Sequence, residues 1–337
     1  MSERIAGLGY ASAQGLGHLL RDFYHHKILD DVMIYRHRAR KSHMEWYPPD
    51  TFELVQTPFN GPIVDKFVRR VKTMLFFETP FDWSFVNYCR ERGVKTALMP
   101  MYEWFPENPP QRFDKMICPS LLDLDYFPEG VFIPVPVRTD LWKQRTTATR
   151  FLHNAGHVGF REHKGTVELL RAVQHVTSPF TLTVRSQDRR TLEGILKQVP
   201  SVMRDSRVRI EMTELPYEQL WDNHDVLIAP EKFNGLSLPL QEGYAAGMLV
   251  MTTDRYPMNT WLPKEPLIPV HHYEHNVRVA GPYKSFDEAV VAPEAIAATI
   301  DLWFGKDITE YSLRAREWSQ QHSWEKLAPR YREELLS

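Results

Sequence analysis

The sequence is poor in cysteine, with only Cys89 and Cys118 among 337 residues. Two thiols cannot form a disulfide framework, which excludes a stapled secreted miniprotein and fits a reducing compartment. Long apolar runs are missing too. Nothing approaches the roughly 18 consecutive apolar residues of a membrane span, and the opening MSERIAGLGY lacks the apolar core of a secretory signal. Neither sign of charge is in excess, with 41 Lys and Arg facing 43 Asp and Glu. No global field therefore draws the chain to nucleic acid or membrane, and a polyanion must meet a local patch. The rest, 43% hydrophobic and 25% charged, is ordinary globular composition. The length exceeds what one core supports and predicts two domains of roughly 150 residues each, in a cytoplasmic protein.

The first half alternates short apolar runs with helical periodicity. A strand is expected at 4–10, then a small-residue loop ASAQGLG, then a helix over 18–26 with Leu19, Leu20 and Phe23 on one face. Strands follow at 31–35, 73–77, 95–101 and 115–118, with a helix at 83–92. Strand, helix, strand in this rhythm predicts parallel β-α-β units. Residues 131–137, VFIPVPV, carry two prolines and no helical period and read as the inter-domain crossing. A second α/β series then runs through strands at 151–156, 180–185, 207–212, 226–230 and 248–253. Its helices are expected at 164–173, 189–198, 217–223 and 237–246, with a terminal helix or helix pair over 311–336. The expected architecture is two Rossmann-like domains facing a cleft, where such sheets bind ligands.

The most informative stretch is 226–263, VLIAPEKFNGLSLPLQEGYAAGMLVMTTDRYPMNTWLP. A strand ends at Pro230, a loop passes Asn234 and Gly235, and a helix carrying Glu242 ends at Gly247. A loop entering a helix exposes unpaired N–H groups at a positive dipole end, which suits an anion. A carboxylate on that helix suits ribose or sugar hydroxyls.

This stretch resembles the GT-B glycosyltransferases, in particular glycosyltransferase family 4, whose signature places two glutamates eight positions apart around a glycine- and proline-containing segment. Here the match is Asn234-Gly235-Leu236-Ser237-Leu238-Pro239-Leu240-Gln241-Glu242, with Asn234 standing at the first glutamate and Glu231 three residues too early. The resemblance implies that Glu242 contacts the donor ribose. It also implies that Asn234 with the Gly235, Leu236 and Ser237 backbone orients the donor sugar. The segment 151–172 resembles the start of the family's nucleotide domain, with Lys164-Gly165 as the match. Lys164, with Arg161 or Arg185 as a second cation, would neutralise the departing diphosphate. Gly15 and Gly17 lead from strand to helix, so their backbone can approach a phosphate closely, or simply make a tight turn.

Glu103, in MPMYEWFP at a strand's carboxyl end, is the candidate base for the acceptor hydroxyl, with Glu78 second. The implied reaction moves a sugar from a nucleotide-diphosphate sugar to a hydroxyl, with retention and without a metal or other cofactor, and domain closure would limit hydrolysis. The D-x-D at 123–125 and the histidines at 271, 272 and 275 are not read as metal sites. The segments 36–43 (RHRARKSH) and 66–72 (KFVRRVK) form a basic patch on the acceptor half. DNA carrying a hydroxymethylated pyrimidine is one acceptor this implies, similar to the phage enzymes that glucosylate such bases. A polysaccharide or other glycan is another. A nucleotide-sugar-binding protein without turnover, and a sugar-nucleotide epimerase, remain open. The expected boundaries are 1–137 for the acceptor domain, 138–310 for the donor domain, and 311–337 for a helical segment returning to the first.

Overall fold

A computed structural model describes residues 3–36, 41–156, 162–213 and 215–337. The chain divides into two compact units: residues 1–136 with 282–284 and 324–337, and residues 137–281 with 285–323.

In the first unit the elements run β1 (Ile5–Gly9), α1 (Gly15–His25), β2 (Asp31–Tyr35), β3 (Phe52–Leu54), α2 (Pro62–Val68) and β4 (Thr73–Glu78). They continue α3 (Trp83–Arg90), β5 (Lys95–Pro100), β6 (Lys115–Cys118), α4 (Leu121–Tyr126) and β7 (Val131–Phe132). The strands form one parallel sheet in the order β3-β2-β1-β4-β5-β6-β7. Every residue of β1 is buried, as expected of a parallel strand covered on both faces. On α1 the buried residues Gly17, Leu19, Leu20 and Phe23 form the stripe that packs inward. The order reverses between β1 and β4, which makes the carboxyl ends of those strands this sheet's switch point.

The second unit runs β8 (Arg150–Gly156), α5 (Thr166–Ala172), β9 (Thr181–Ser186), α6 (Arg189–Leu196), β10 (Val208–Met212), β11 (Val226–Ala229), α7 (Leu238–Ala245) and β12 (Leu249–Thr252). An antiparallel pair follows, β13 (His272–Val277) and β14 (Phe286–Val290), then α8 (Pro293–Trp303) and α9 (Thr309–Gln321). Its main sheet is also parallel, in the order β10-β9-β8-β11-β12, with the switch point between β8 and β11. One face packs Phe151, Leu182, Val184, Ile228 and Met251 beneath α5, α6 and α8. The other packs Leu152, Leu227 and Val250 against Leu240 and Tyr244 of α7 and Ala315 of α9.

Two expectations differ from the structure. The helix expected at 217–223 is only a turn at Tyr217–Gln219. The helical segment expected from 311 is divided, since α9 belongs to the second unit and α10 (Trp324–Leu336) to the first. The division has a packing cause. Trp324 and Tyr331 meet the buried Phe23 ring edge-on at 5.8 and 4.9 Å. The Tyr331 hydroxyl donates to Ile133 O at 2.8 Å, and Thr73 Oγ1 donates to Leu335 O at 2.7 Å. The Tyr331→Phe substitution should leave the buried Ile133 carbonyl without its donor. It is expected to destabilise the first unit by about 1–3 kcal/mol, measured by equilibrium urea unfolding.

Candidate active site

Two of the segments expected to hold a donor, the one carrying Lys164 and the one entering α7, meet at the switch point of the second unit. β8 ends at Gly156 and β11 at Ala229, and the chain segments after them are brought together. Gly165 lies at φ +69°, and a Cβ there would sit 2.1 Å from Pro230 O, so only glycine lets the two loops close. That contact seats Lys164 against Glu231: Nζ lies 2.5 Å from Oε1, with the glutamate fully buried and the lysine nearly so. Burial alone would raise the Glu231 carboxyl, but the charges of Lys164 and Arg255 outweigh it and hold the group below its ordinary value. Arg255 Nη2 stands 3.7 Å from Glu231 Oε2, which accepts no hydrogen bond among the described residues. The same guanidinium donates to Glu231 O at 3.1 Å and to Asn234 O at 2.9 Å, pinning the loop into α7.

Spacing against Glu242 sets Glu231 aside and Arg255 carries no motif, yet the fold brings the two together at this switch point. His153 was also missed. It is fully buried on β8, bonded through Nδ1 to Ile228 O at 2.8 Å and through Nε2 to Thr166 Oγ1 at 2.9 Å. Burial lowers its pKa. A carbonyl can only accept, so the neutral ring carries its proton on Nδ1 and ties β8 to β11 and to the start of α5.

The entry to α7 is shaped by Asn234, whose Oδ1 accepts from Leu236 N at 3.0 Å and Ser237 N at 2.9 Å. Asn234 thus folds the loop with its side-chain oxygen, a use that a sugar-facing role for that atom does not include. Ser237 holds a left-handed conformation, φ +41°, and its buried Oγ has no hydrogen-bond partner among the described residues. Gln241 Nε2 donates to Leu236 O at 2.6 Å. Glu242 follows on α7, half-buried.

Other expected donor residues go elsewhere. Arg185 reaches to the outer strand, donating to Glu211 Oε2 at 3.0 Å and Leu220 O at 2.7 Å. Its register partner on β10 is Glu211, so a pair within the sheet replaces the expected partnership with Lys164. Arg161 lies outside the described residues, as do residues 37–40 of the basic patch. Gly15 opens α1. Gly17 is buried, and a Cβ there would lie 2.0 Å from Ser12 O, so its smallness serves the closure of its own loop. In the basic segments, Arg36 pairs with Glu53 and Arg69 pairs with Asp65. Among the described residues no group of three or more His, Cys, Asp or Glu could hold a metal ion, and no helix is long and apolar enough to cross a membrane. His275 pairs with Asp287 at 3.0 Å.

In the first unit Glu103 is buried, on a single turn after β5. Asp123 of the set-aside D-x-D, on α4, is 1% exposed. Its Oδ1 accepts from Tyr102 N at 2.9 Å, and its other oxygen meets Ser120 Oγ. Burial, and then the charge of Glu103, push its carboxyl up to about 7 against those hydrogen bonds. Glu78 ends β4 at φ +61°, and Thr79 Oγ1 donates to Trp104 O at 2.5 Å, so the loops bearing Glu78 and Glu103 are joined.

The fold with these two switch points is GT-B. No family known from sequence matches the chain, and no curated protein does. Solved structures do. Anabaena Alr3699/HepE, in complex with UDP and glucose, is 12% identical over 98% of each chain, with a TM-score of 0.71. A glycosyltransferase from Rickettsia africae ESF-5 is 14% identical over 98% of this chain and 99% of its own, at 0.69. Sucrose-phosphate synthase (tll1590) from Thermosynechococcus elongatus is 14% identical over 97% of each, at 0.64.

Two outcomes are expected. Lys164→Met should destabilise by about 3–5 kcal/mol by stranding Glu231, while Lys164→Met with Glu231→Leu should recover most of the loss. Urea unfolding of both variants measures it. For Asp123, the folded carboxyl keeps its proton to about pH 7 and the unfolded one releases it near 3.8. The folded state binds the extra proton in between, so this contribution to stability is full below the unfolded value and is lost as pH rises toward 7. Asp123→Asn should remove that part of the pH dependence of the melting temperature.

Proposed function

We propose that the protein is a glycosyltransferase that moves a sugar from a nucleoside-diphosphate sugar, with uridine as the base, to an acceptor hydroxyl. The observation that carries this reading is the buried Lys164–Glu231–Arg255 group at the β8/β11 switch point, beside the α7 entry. UDP in the Anabaena protein and UDP-glucose in another of its structures support the choice of donor.

In this reading Lys164 and the backbone N–H groups entering α7 take the charge of the departing diphosphate. Glu242 accepts hydrogen bonds from the ribose, and the backbone from Asn234 to Ser237 orients the sugar. The bond between the anomeric carbon and the diphosphate oxygen breaks, its electron pair leaving with UDP. The acceptor oxygen bonds to that carbon on the face the diphosphate leaves, so configuration is retained, and the hydroxyl proton passes to Glu103. The diphosphate charge is met by protein groups, so no metal or other cofactor takes part. The acceptor is a sugar hydroxyl or, through the basic segments, a hydroxymethylated pyrimidine of DNA. A nucleotide-sugar-binding protein without turnover is the second reading, favoured by Asn234, whose Oδ1 is held by the loop's own amides.

UDP-glucose and related sugar nucleotides should raise the melting temperature, by the equivalent of about 2.7 kcal/mol at a hundred times Kd. Lys164→Ala should weaken UDP binding, measured by calorimetry. Release of labelled sugar to an acceptor separates transfer from binding alone. Unchanged UDP affinity in the alanine variant would refute the assignment of Lys164.

A further inference from the structure

The two edges of the second unit's main sheet are finished differently. Beyond β12 the edge is covered: Ile268 N donates to Thr252 O at 2.8 Å, and Asp254 N donates to Ile268 O at 2.7 Å. β10 forms the other edge, and among the described residues it pairs with β9 alone. Leu182 N, on β9, donates to Arg207 O at 2.8 Å. Backbone groups alternate sides along a strand. Those of Arg209 and Glu211 therefore face β9, while those of Ile210 and Met212, with the Val208 C=O, face outward. The Val208 N–H is already engaged by Asp205 O at 3.1 Å. Such an edge is a template for another strand unless a proline, a bulge, a cover or charge blunts it. β10 reads Val-Arg-Ile-Glu-Met, without proline, pairs with β9 in unbroken register, and carries charges of opposite sign.

Its two faces differ. Val208, Ile210 and Met212 pack half-buried on the core beneath α5, α6 and α8. Arg209 and Glu211 stand on the opposite face, in register with Thr183 and Arg185 of β9. The helix expected to cross this face is only the turn at Tyr217–Gln219, and a groove of about 870 Å³ is open there. The other cations of the groove are engaged by the protein itself, Arg185 on Glu211 and Leu220 O, and Arg150 on Asp225. The Arg209 side chain is 78% exposed, its Nε 3.2 Å from Glu211 Oε1.

We propose that β10 is the seam of a homodimer, in which two copies join antiparallel about a two-fold axis at Ile210 and make one sheet across both second units. In this register each Ile210 N–H donates to Ile210 O of the other copy, and each Met212 N–H to Val208 O of the other copy. Arg209 then falls opposite Glu211 of the second copy, at the non-hydrogen-bonded positions where side chains come closest, and the symmetry repeats the pair. On the core side Val208 meets Met212 and Ile210 meets its own copy. Charge chooses the register, since an axis at Arg209 or at Glu211 would set like charges against each other. The strands of the two copies run in opposite directions. Their β8/β11 switch points therefore point opposite ways, and the seam obstructs neither. It does not depend on the donor reading.

Sedimentation equilibrium of the full-length chain from about 1 to 200 µM tests the seam. Five residues a side make a small interface, so a dimer dissociating in the micromolar range is expected. Arg209→Glu sets acid against acid on both sides of the axis and should raise the dimer Kd at least about tenfold, whereas Arg209→Lys should keep the dimer. Circular dichroism matching the parent's shows that both are folded. Mixing Arg209→Glu with Glu211→Lys restores opposite charges at both positions and should yield a heterodimer. Should Glu211→Lys not fold, since it faces the buried Arg185, the two Arg209 variants decide alone. The proposal is overturned if the parent stays monomeric over the range, if Arg209→Glu dimerises as tightly as the parent, or if the folded mixture stays monomeric.

Discussion

The second unit is organised around one ion pair removed from water. Placing a carboxylate with no solvent exposure beside a lysine is costly unless the partners are held close and a further charge helps. Glu231 meets both conditions, with Lys164 at 2.5 Å and Arg255 behind it. The geometry that satisfies the pair fixes much else. It requires glycine at 165, since Pro230 O occupies the space a side chain would take. It draws the loop after β8 onto the end of β11, and through Arg255 it holds the Asn234 carbonyl and hence the approach to α7. The cation expected on a diphosphate is therefore preset in position by its own counter-ion.

The first unit repeats the topology with different chemistry. Rings stand after β1 and β4 and at the end of β2, and the buried acids Glu103 and Asp123 follow β5 and β6. Glu103 and Asp123 share a region where burial and mutual repulsion oppose the charged state of Asp123. Two parallel sheets that share the order of five strands thus carry different residues at their carboxyl ends. Topology alone sets where ligands bind; the residues at the strand ends set which.

Much of this was legible in the sequence. Parallel strands buried on both faces read as short apolar runs such as VLIA at 226–229, and the helices between them carry a clear stripe. The Lys164-Gly165 pair and the Asn234 to Glu242 segment were found because each is local. What escaped depends on contacts between distant positions. Glu231 was set aside on its spacing from Glu242, yet its partner is Lys164, on another loop. Arg185 was read as a ligand cation, because a basic residue at a strand end looks the same whether it faces a phosphate or a carboxylate. The pairing of β9 with β10, which sets Glu211 opposite it, is a contact that no local pattern reports. Asp123 hid inside a motif considered only for metals. The split between α9 and α10 follows from the aromatic seat that Phe23 offers Trp324 and Tyr331, and no periodicity reports that.

The seating of α10 has an implication for biogenesis. The strands it covers are complete once β7 has been made, yet the helix arrives roughly 190 residues later, which at ribosomal speeds is about 10–40 s. Throughout that interval Phe23 and the strip beside Ile133 stay uncapped, a greasy seam on a nascent chain. The amino-terminal lobe thus reaches its final form only after the whole of the other lobe has been synthesised, and its maturation is timed by translation as much as by its own folding.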